Sequence, residues 1–275
     1  MSENKSIVTE NVWRRLRQFT DARIGLGRAG VSLPTHELLK FQLAHAQARD
    51  AVHFPLNVEE LFEDLCGSEM IAPEKPPLLL KSQAEDRLTY LQRPDLGRRL
   101  SEASFDSLSR HRAADESQPD IAIAIVDGLS SSAVRNNALP MVKQFLADLD
   151  EEPDSWTVAP LTIVEEGRVA IGDQIGECLG ARVVVVFIGE RPGLSSPDSL
   201  GIYLTWQPED GLSDARRNCI SNVRPGGLSF EQASQRLLYL MREAKKLGTS
   251  GVNLKDRTEE VVIEKTENNK NFLTE

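Results

Sequence analysis

The rhythm of apolar and polar positions changes about two-fifths of the way along the chain. Up to residue 115 it is helical where it is regular at all. Val12, Leu16 and Phe19 recur among arginines in Asn11–Asp21, which predicts a short amphipathic helix. Thr35, just after Pro34, is placed to cap a longer helix reaching Val52, with Leu38, Leu39, Gln42, Leu43 and Ala46 on one face. Pro55, Pro73, Pro76 and Pro77 divide residues 55–80 into short helices and loop, and Pro94 opens a further helical stretch, Asp95 to Leu108.

From Pro119 strands alternate with helices. DIAIAIVDG reads as a strand ending in a turn, and Ala133 to Leu149 as a helix. TVAPLTIV reads as a second strand, with Pro160 at an edge or bulge. Ile171 to Leu179 is a short helix closing at Gly180, and LGIYLTWQP another strand. ARVVVVFIG carries four consecutive valines with no alternation, the mark of a parallel strand buried on both faces. Phe230 to Leu247 is an amphipathic helix stopped by Gly248. This order predicts an α/β fold: a Rossmann-like, mostly parallel open sheet with right-handed crossovers, preceded by a helical N-terminal region. The divisions are 1–115 (helical), 116–254 (α/β) and 255–275, a charged tail whose short apolar patch Val261–Ile263 is too small for a core, so disorder is expected there.

Composition narrows the function. In 275 residues, 32 basic side chains face 42 acidic ones, a net charge of −10, which speaks against a nucleic-acid surface. The longest apolar run, Val183–Ile188, is far short of the ~20 residues that span a membrane. Three dispersed cysteines, Cys66, Cys178 and Cys219, exclude a disulfide scaffold, and MSENKSIVTE lacks the apolar stretch of a signal peptide, so a cytoplasmic protein is expected.

Most motif matches fail on context. Gly25–Gly30 spells G-x-G-x-x-G, but the residues before it are polar and helix-like, whereas a dinucleotide fingerprint follows a buried strand. Gly128-Leu129-Ser130-Ser131-Ser132 lacks the second glycine of a nucleophile elbow, and all four histidines precede it; a loop capping the next helix is the simpler reading. His36-Glu37 has Lys40 where a zinc-protease helix needs histidine. Asp127 and Glu190 end strands, where open α/β sheets bind ligands. Gly189-Glu190-Arg191-Pro192-Gly193-Leu194 suits a tight loop against a large flat ligand, and Cys219–Asn222 reads as a second such loop, with Arg216 and Arg217 near enough to lower the thiol's pKa.

Long segments in order resemble the small (light) subunit of adenosylcobalamin-dependent ethanolamine ammonia-lyase. They include RIGLGRAG and SLPTHELLKFQLAHAQARDAV at 23–52, YLQRPDLGRRL at 90–100, DIAIAIVDGLSSSAV at 120–134, GRVAIGDQIGECLGARVVVVFIGERPGLSSPDSLGIYLTW at 167–206, RNCISNVRPGG at 217–227 and SGVNLK at 250–255. The resemblance implies a complex with a large-subunit β/α barrel that holds ethanolamine, the heterodimers assembling into a larger oligomer. It implies radical conversion of ethanolamine to acetaldehyde and ammonia, with cobalamin between the subunits and the catalytic residues on the large one. It carries three cobalamin contacts onto Val169, Glu190 and Cys219. No histidine here sits in D-x-H-x-x-G, so the cofactor is expected to keep its own benzimidazole on cobalt. Several family members open with an extension that directs packaging into a bacterial microcompartment; this chain begins close to its first matching motif, so that route is not expected. The alternatives are a stand-alone Rossmann-like nucleotide-binding enzyme and a scaffold module without cofactor.

Overall fold

Valine at four successive positions forces burial on both sides, and Val183–Gly189 (β4) is accordingly buried at all seven residues. The computed structural model describes residues 11–20, 22–68, 71–72, 74–114 and 118–258. The other strands are Leu78–Lys81 (β1), Ile121–Val126 (β2), Thr162–Glu165 (β3), Leu200–Trp206 (β5) and Arg217–Val223 (β6). They form one sheet in the order β1-β3-β2-β4-β5-β6. The first four are mutually parallel, and β5 and β6 are added antiparallel. The mostly parallel α/β sheet expected from the sequence is therefore present.

The helices are Thr35–His53 (α1), Val58–Cys66 (α2), Arg87–Gln92 (α3), Glu102–Ala114 (α4), Ser131–Asp150 (α5), Ile171–Leu179 (α6) and Phe230–Leu247 (α7). They cover the sheet on both faces. Ile121, Ile123 and Ile125 of β2, with Val183, Val185 and Phe187 of β4, pack against α2, α5 and α7. Ala122, Ala124 and Val126, with Val184, Val186 and Ile188, pack against α4 and α6. The period-two alternation of a strand thus supplies two cores, each closed by its own helices.

Several local readings are corrected. Leu78–Lys81 is a strand paired with β3, not loop or helix; the prolines before it end one element without preventing the next. Pro160 does not lie in a regular strand. Val158 makes only an isolated bridge with Ile121, and β3 starts at Thr162, because proline has no ladder donor and β3 is an interior strand. The helix expected at Asp95–Leu108 divides into a 3-10 turn, Leu96–Arg98, and α4; between them Leu100 bridges to Ser82. Val12–Gln18 is a 3-10 helix with no buried residue.

Thr35 is the first residue of α1 rather than its cap. The face of α1 that turns inward carries Glu37, Ala44, Ala48 and Ala51, whereas Leu38, Leu39 and Leu43 remain exposed. Small alanines let α1 approach the body closely, and Arg17 (2.7 Å) neutralises the buried Glu37 carboxylate. Cys219 lies within β6, not in a loop. The disorder expected of the tail falls almost wholly on residues 259–275, outside the described residues, as do residues 115–117, where the division is expected. No helix among the described residues is long and apolar enough to cross a membrane.

Phe187 is fully buried and meets the Phe145 ring edge-on, centroids 6.2 Å apart. Phe187→Ala should cost about 3–5 kcal/mol, from lost transfer energy plus the cavity. Urea denaturation reads it; a cost under about 1 kcal/mol, the range of a surface change, contradicts the packing described.

Candidate functional site

From β2 the chain runs to β3 on one side, then crosses to β4 on the other. Open α/β sheets bind ligands beyond the carboxyl ends of strands at such a reversal. Here Gly128 follows β2 and Gly189 ends β4. A Cβ on Gly128, whose φ is +61°, would stand 2.3 Å from the Gly189 carbonyl oxygen, and a Cβ on Gly189 would stand 2.1 Å from that of Ser130. Only bare backbone fits, and the Leu129 amide donates to the Gly189 carbonyl across the gap.

This junction floors a concavity of about 440 Å³, with Leu129, Ile188, Glu190 and Arg191 around it. A second, of about 480 Å³, is lined by Arg98, Asp214, Arg217 and Cys219. Arg168, Val169 and Tyr203 line both, so the two adjoin. Val169, Glu190 and Cys219, far apart in sequence, therefore border a crevice made of these two adjoining concavities.

Glu190 is held from three sides. It accepts from the hydroxyls of Ser199 and Ser221 (2.5 Å) and from the Asn222 amide (3.1 Å). A carboxylate has about four acceptor sites, so one remains for a ligand donor. Cys219 pairs with Tyr203 across β5 and β6. Its thiol is pushed up by the protein around it, against the hydrogen bond with the Tyr203 hydroxyl, which works the other way. The expectation of an arginine-lowered thiol is thus overturned: the guanidinium of Arg217 is buried and paired with Asp173 and Asp214. Asp173 is pushed up to about 6 by burial, with Arg217 opposing.

Asp127, singled out as a strand end, is not at the surface. Its Oδ2 accepts from Arg87 Nη1 (3.1 Å), which also donates to Glu166 Oε2 (3.2 Å). Its Oδ1 accepts from the Gly167 amide (3.3 Å). Burial pushes the Asp127 carboxyl up to about 7, with Arg87 opposing.

The discarded motifs are structural. Ser130 caps α5 by accepting from the Ala133 amide, and Ser131 donates to the Phe54 carbonyl. Among the described residues the element before the Gly25–Gly30 loop is a 3-10 helix, not a strand, and Arg23 ties the loop to the Leu194 carbonyl.

A family model described as ethanolamine ammonia-lyase light chain (EutC) matches residues 10–255. The chain belongs to the ethanolamine ammonia-lyase light-chain family. Among relatives named ethanolamine ammonia-lyase small subunit, that of Pseudomonas paraeruginosa is 56% identical over 252 residues, 91% of this chain and 89% of the relative. That of Azotobacter vinelandii is 54% identical over 256 residues, 93% and 92% respectively. One from Pseudomonas fluorescens is 51% identical over 276 residues, 98% and 97%. The light-chain motifs quoted above contain crevice residues that the reading of sequence did not single out. Arg168 adjoins Val169, Tyr203 is the half-buried position in the otherwise buried LGIYLTW, and Tyr90 opens YLQRPDLGRRL.

Asp127 titrates in the folded chain near pH 7, against about 3.9 when unfolded, so its stabilising contribution is full below about pH 4 and lost as pH rises through 7. Asp127→Asn removes that loss. The variant should gain stability relative to the unsubstituted chain between about pH 5 and pH 8. Urea denaturation across that range checks the sign, and a difference that is flat or falls contradicts it.

Proposed function

We propose that this chain is the small subunit of an adenosylcobalamin-dependent ethanolamine ammonia-lyase, a carbon–nitrogen lyase that yields acetaldehyde and ammonia. It works with a large subunit that holds ethanolamine and the catalytic residues, the pairs assembling into a larger oligomer. The observation that carries the reading is the pair of adjoining concavities at the reversal of the sheet, bordered by Val169, Glu190 and Cys219.

The residues present suit a corrin and its benzimidazole tail. A broad macrocycle rimmed with amides needs apolar area and both donors and acceptors. Ile188, Leu129 and the Tyr203 ring supply area. Glu190 supplies an acceptor site, and Arg168 and Arg191 on the lining supply donors. When bound, the cofactor supplies a cobalt–carbon bond whose homolysis starts radical chemistry. The residues of this chain bind, orient and exclude water, and none is assigned a proton transfer.

A partner surface is supported by the distribution of exposed apolar side chains. Trp13, Phe19, Val31, Leu39, Leu43 and Phe54 all lie in the first 54 residues and are at least half exposed, and large exposed apolar area marks interaction sites.

The test is co-expression with the neighbouring large-subunit gene. The complex should form acetaldehyde from ethanolamine only when the coenzyme is added; a complex that takes up no corrin contradicts the reading. Glu190→Ala should weaken cobalamin affinity roughly tenfold or more, the scale of a hydrogen bond to a charged group, and weaken cofactor retention more than it weakens the fold. Unchanged affinity with lost stability would falsify the assignment of Glu190.

A further inference from the structure

A buried arginine outside the crevice bonds the first residue of a turn that enters it. Arg87, on α3, is 9% exposed, and its guanidinium meets three elements. Nε donates to the Val52 carbonyl (2.7 Å) in the last turn of α1, where a helix leaves carbonyls unpaired. Nη1 donates to both Asp127, at the end of β2, and Glu166, at the end of β3. One planar cation thus ties a helix end to two strand ends, and its fork suits that task better than an ammonium would.

Glu166 opens the turn Glu166-Gly167-Arg168-Val169. It is buried and has φ +53°, a left-handed conformation that a non-glycine residue holds only when its surroundings impose it. Those surroundings are all present. Burial disfavours its carboxylate, and the hydrogen bond from Arg87 Nη1 opposes that. Asp127 accepts from the Gly167 amide, and the Tyr90 hydroxyl donates to the Gly167 carbonyl (3.0 Å). The Arg168 amide donates to the Gly97 carbonyl (2.7 Å). Gly97 has no room for a side chain: a Cβ there would stand 2.9–3.0 Å from Tyr90, Arg168 and the Glu166 carbonyl oxygen. The guanidinium carbons of Arg87 and Arg168 lie 4.9 and 4.2 Å from the centre of the Tyr90 ring, so the two cations share one aromatic ring.

The turn delivers Arg168 and Val169 to both concavities, while Arg87 lines neither. We propose that Arg87 is a positioning residue: it fixes the Glu166–Val169 turn, sets Arg168 and Val169 in the crevice, and couples the end of α1 to that crevice. The geometric part stands alone, and its effect on cobalamin rests on the cofactor reading above.

The test uses Arg87→Lys, which keeps the buried charge but loses the fork, in the two-subunit complex. Tyr90→Phe, which removes only the hydroxyl bond to Gly167, serves as the second variant. Hydrogen exchange of the peptide containing Gly167 and Arg168 should speed up roughly tenfold, the equivalent of one to two lost hydrogen bonds, with the Val183–Gly189 peptide unchanged. Cobalamin affinity should fall roughly tenfold or more, as when the groups that orient a ligand contact are removed. Unchanged exchange in the turn overturns the proposal. Equal acceleration in the β4 peptide does so too, since Arg87 would then only stabilise the fold. Faster exchange in the turn with unaltered cobalamin affinity upholds the positioning of the turn and overturns its link to the cofactor. Failure of the unsubstituted complex to take up cobalamin, with the turn still loosened in both variants, counts against the cofactor reading alone.

Discussion

Two loops leave the sheet side by side where its order reverses, and they pass so closely that neither can carry a side chain at the crossing. Gly128 and Gly189 meet that constraint, and the Leu129 amide bonds the Gly189 carbonyl across the contact. The consequence is close backbone packing between the ends of β2 and β4, with both glycines buried, instead of the side chains that would otherwise hold the two apart. Glu190 follows Gly189 directly, so the position of its carboxylate is set by the same crossing. The serine hydroxyls and the Asn222 amide then hold that carboxylate from the β5 and β6 side.

Charge is buried on either flank of the crevice, and each cluster is placed to hold geometry. On one flank, Arg217 is paired with Asp173 of α6 and with Asp214, which fastens β6 to the α6 side of the sheet. On the other, Arg87 is shared by Asp127 and Glu166. Buried ion pairs give little net stability, because desolvation offsets attraction. Their value here is directional: a guanidinium between two fixed carboxylates admits few arrangements.

Much of this was legible in the chain itself. The valine run named the central strand, and the alternation of strand and helix after Pro119 named the fold class. Several long motifs in order pointed to the family. What stayed hidden depended on long-range partners. The strand at Leu78–Lys81 is short and acquires its identity only from pairing with β3. The inward face of α1 could not be read from hydrophobicity, since alanines and a neutralised Glu37 are buried while leucines face out. Arg217 looked like an activator of Cys219 because it is near in sequence, but its charge is consumed by acids 44 and 3 residues away. Arg87 could not have been singled out at all. Its three partners, Val52, Asp127 and Glu166, lie 35, 40 and 79 residues off, and no local pattern records them.

Whether the corrin occupies this crevice can be read from a single side chain. Cys219 is an exposed free thiol on its border, and Cys66, exposed on α2, lines neither concavity. Maleimide labelling of the two-subunit complex, with and without saturating cobalamin, can be followed by mass of the two cysteine peptides. The account predicts that cobalamin protects Cys219 and leaves Cys66 labelling unchanged. Equal labelling of Cys219 in both states would contradict it.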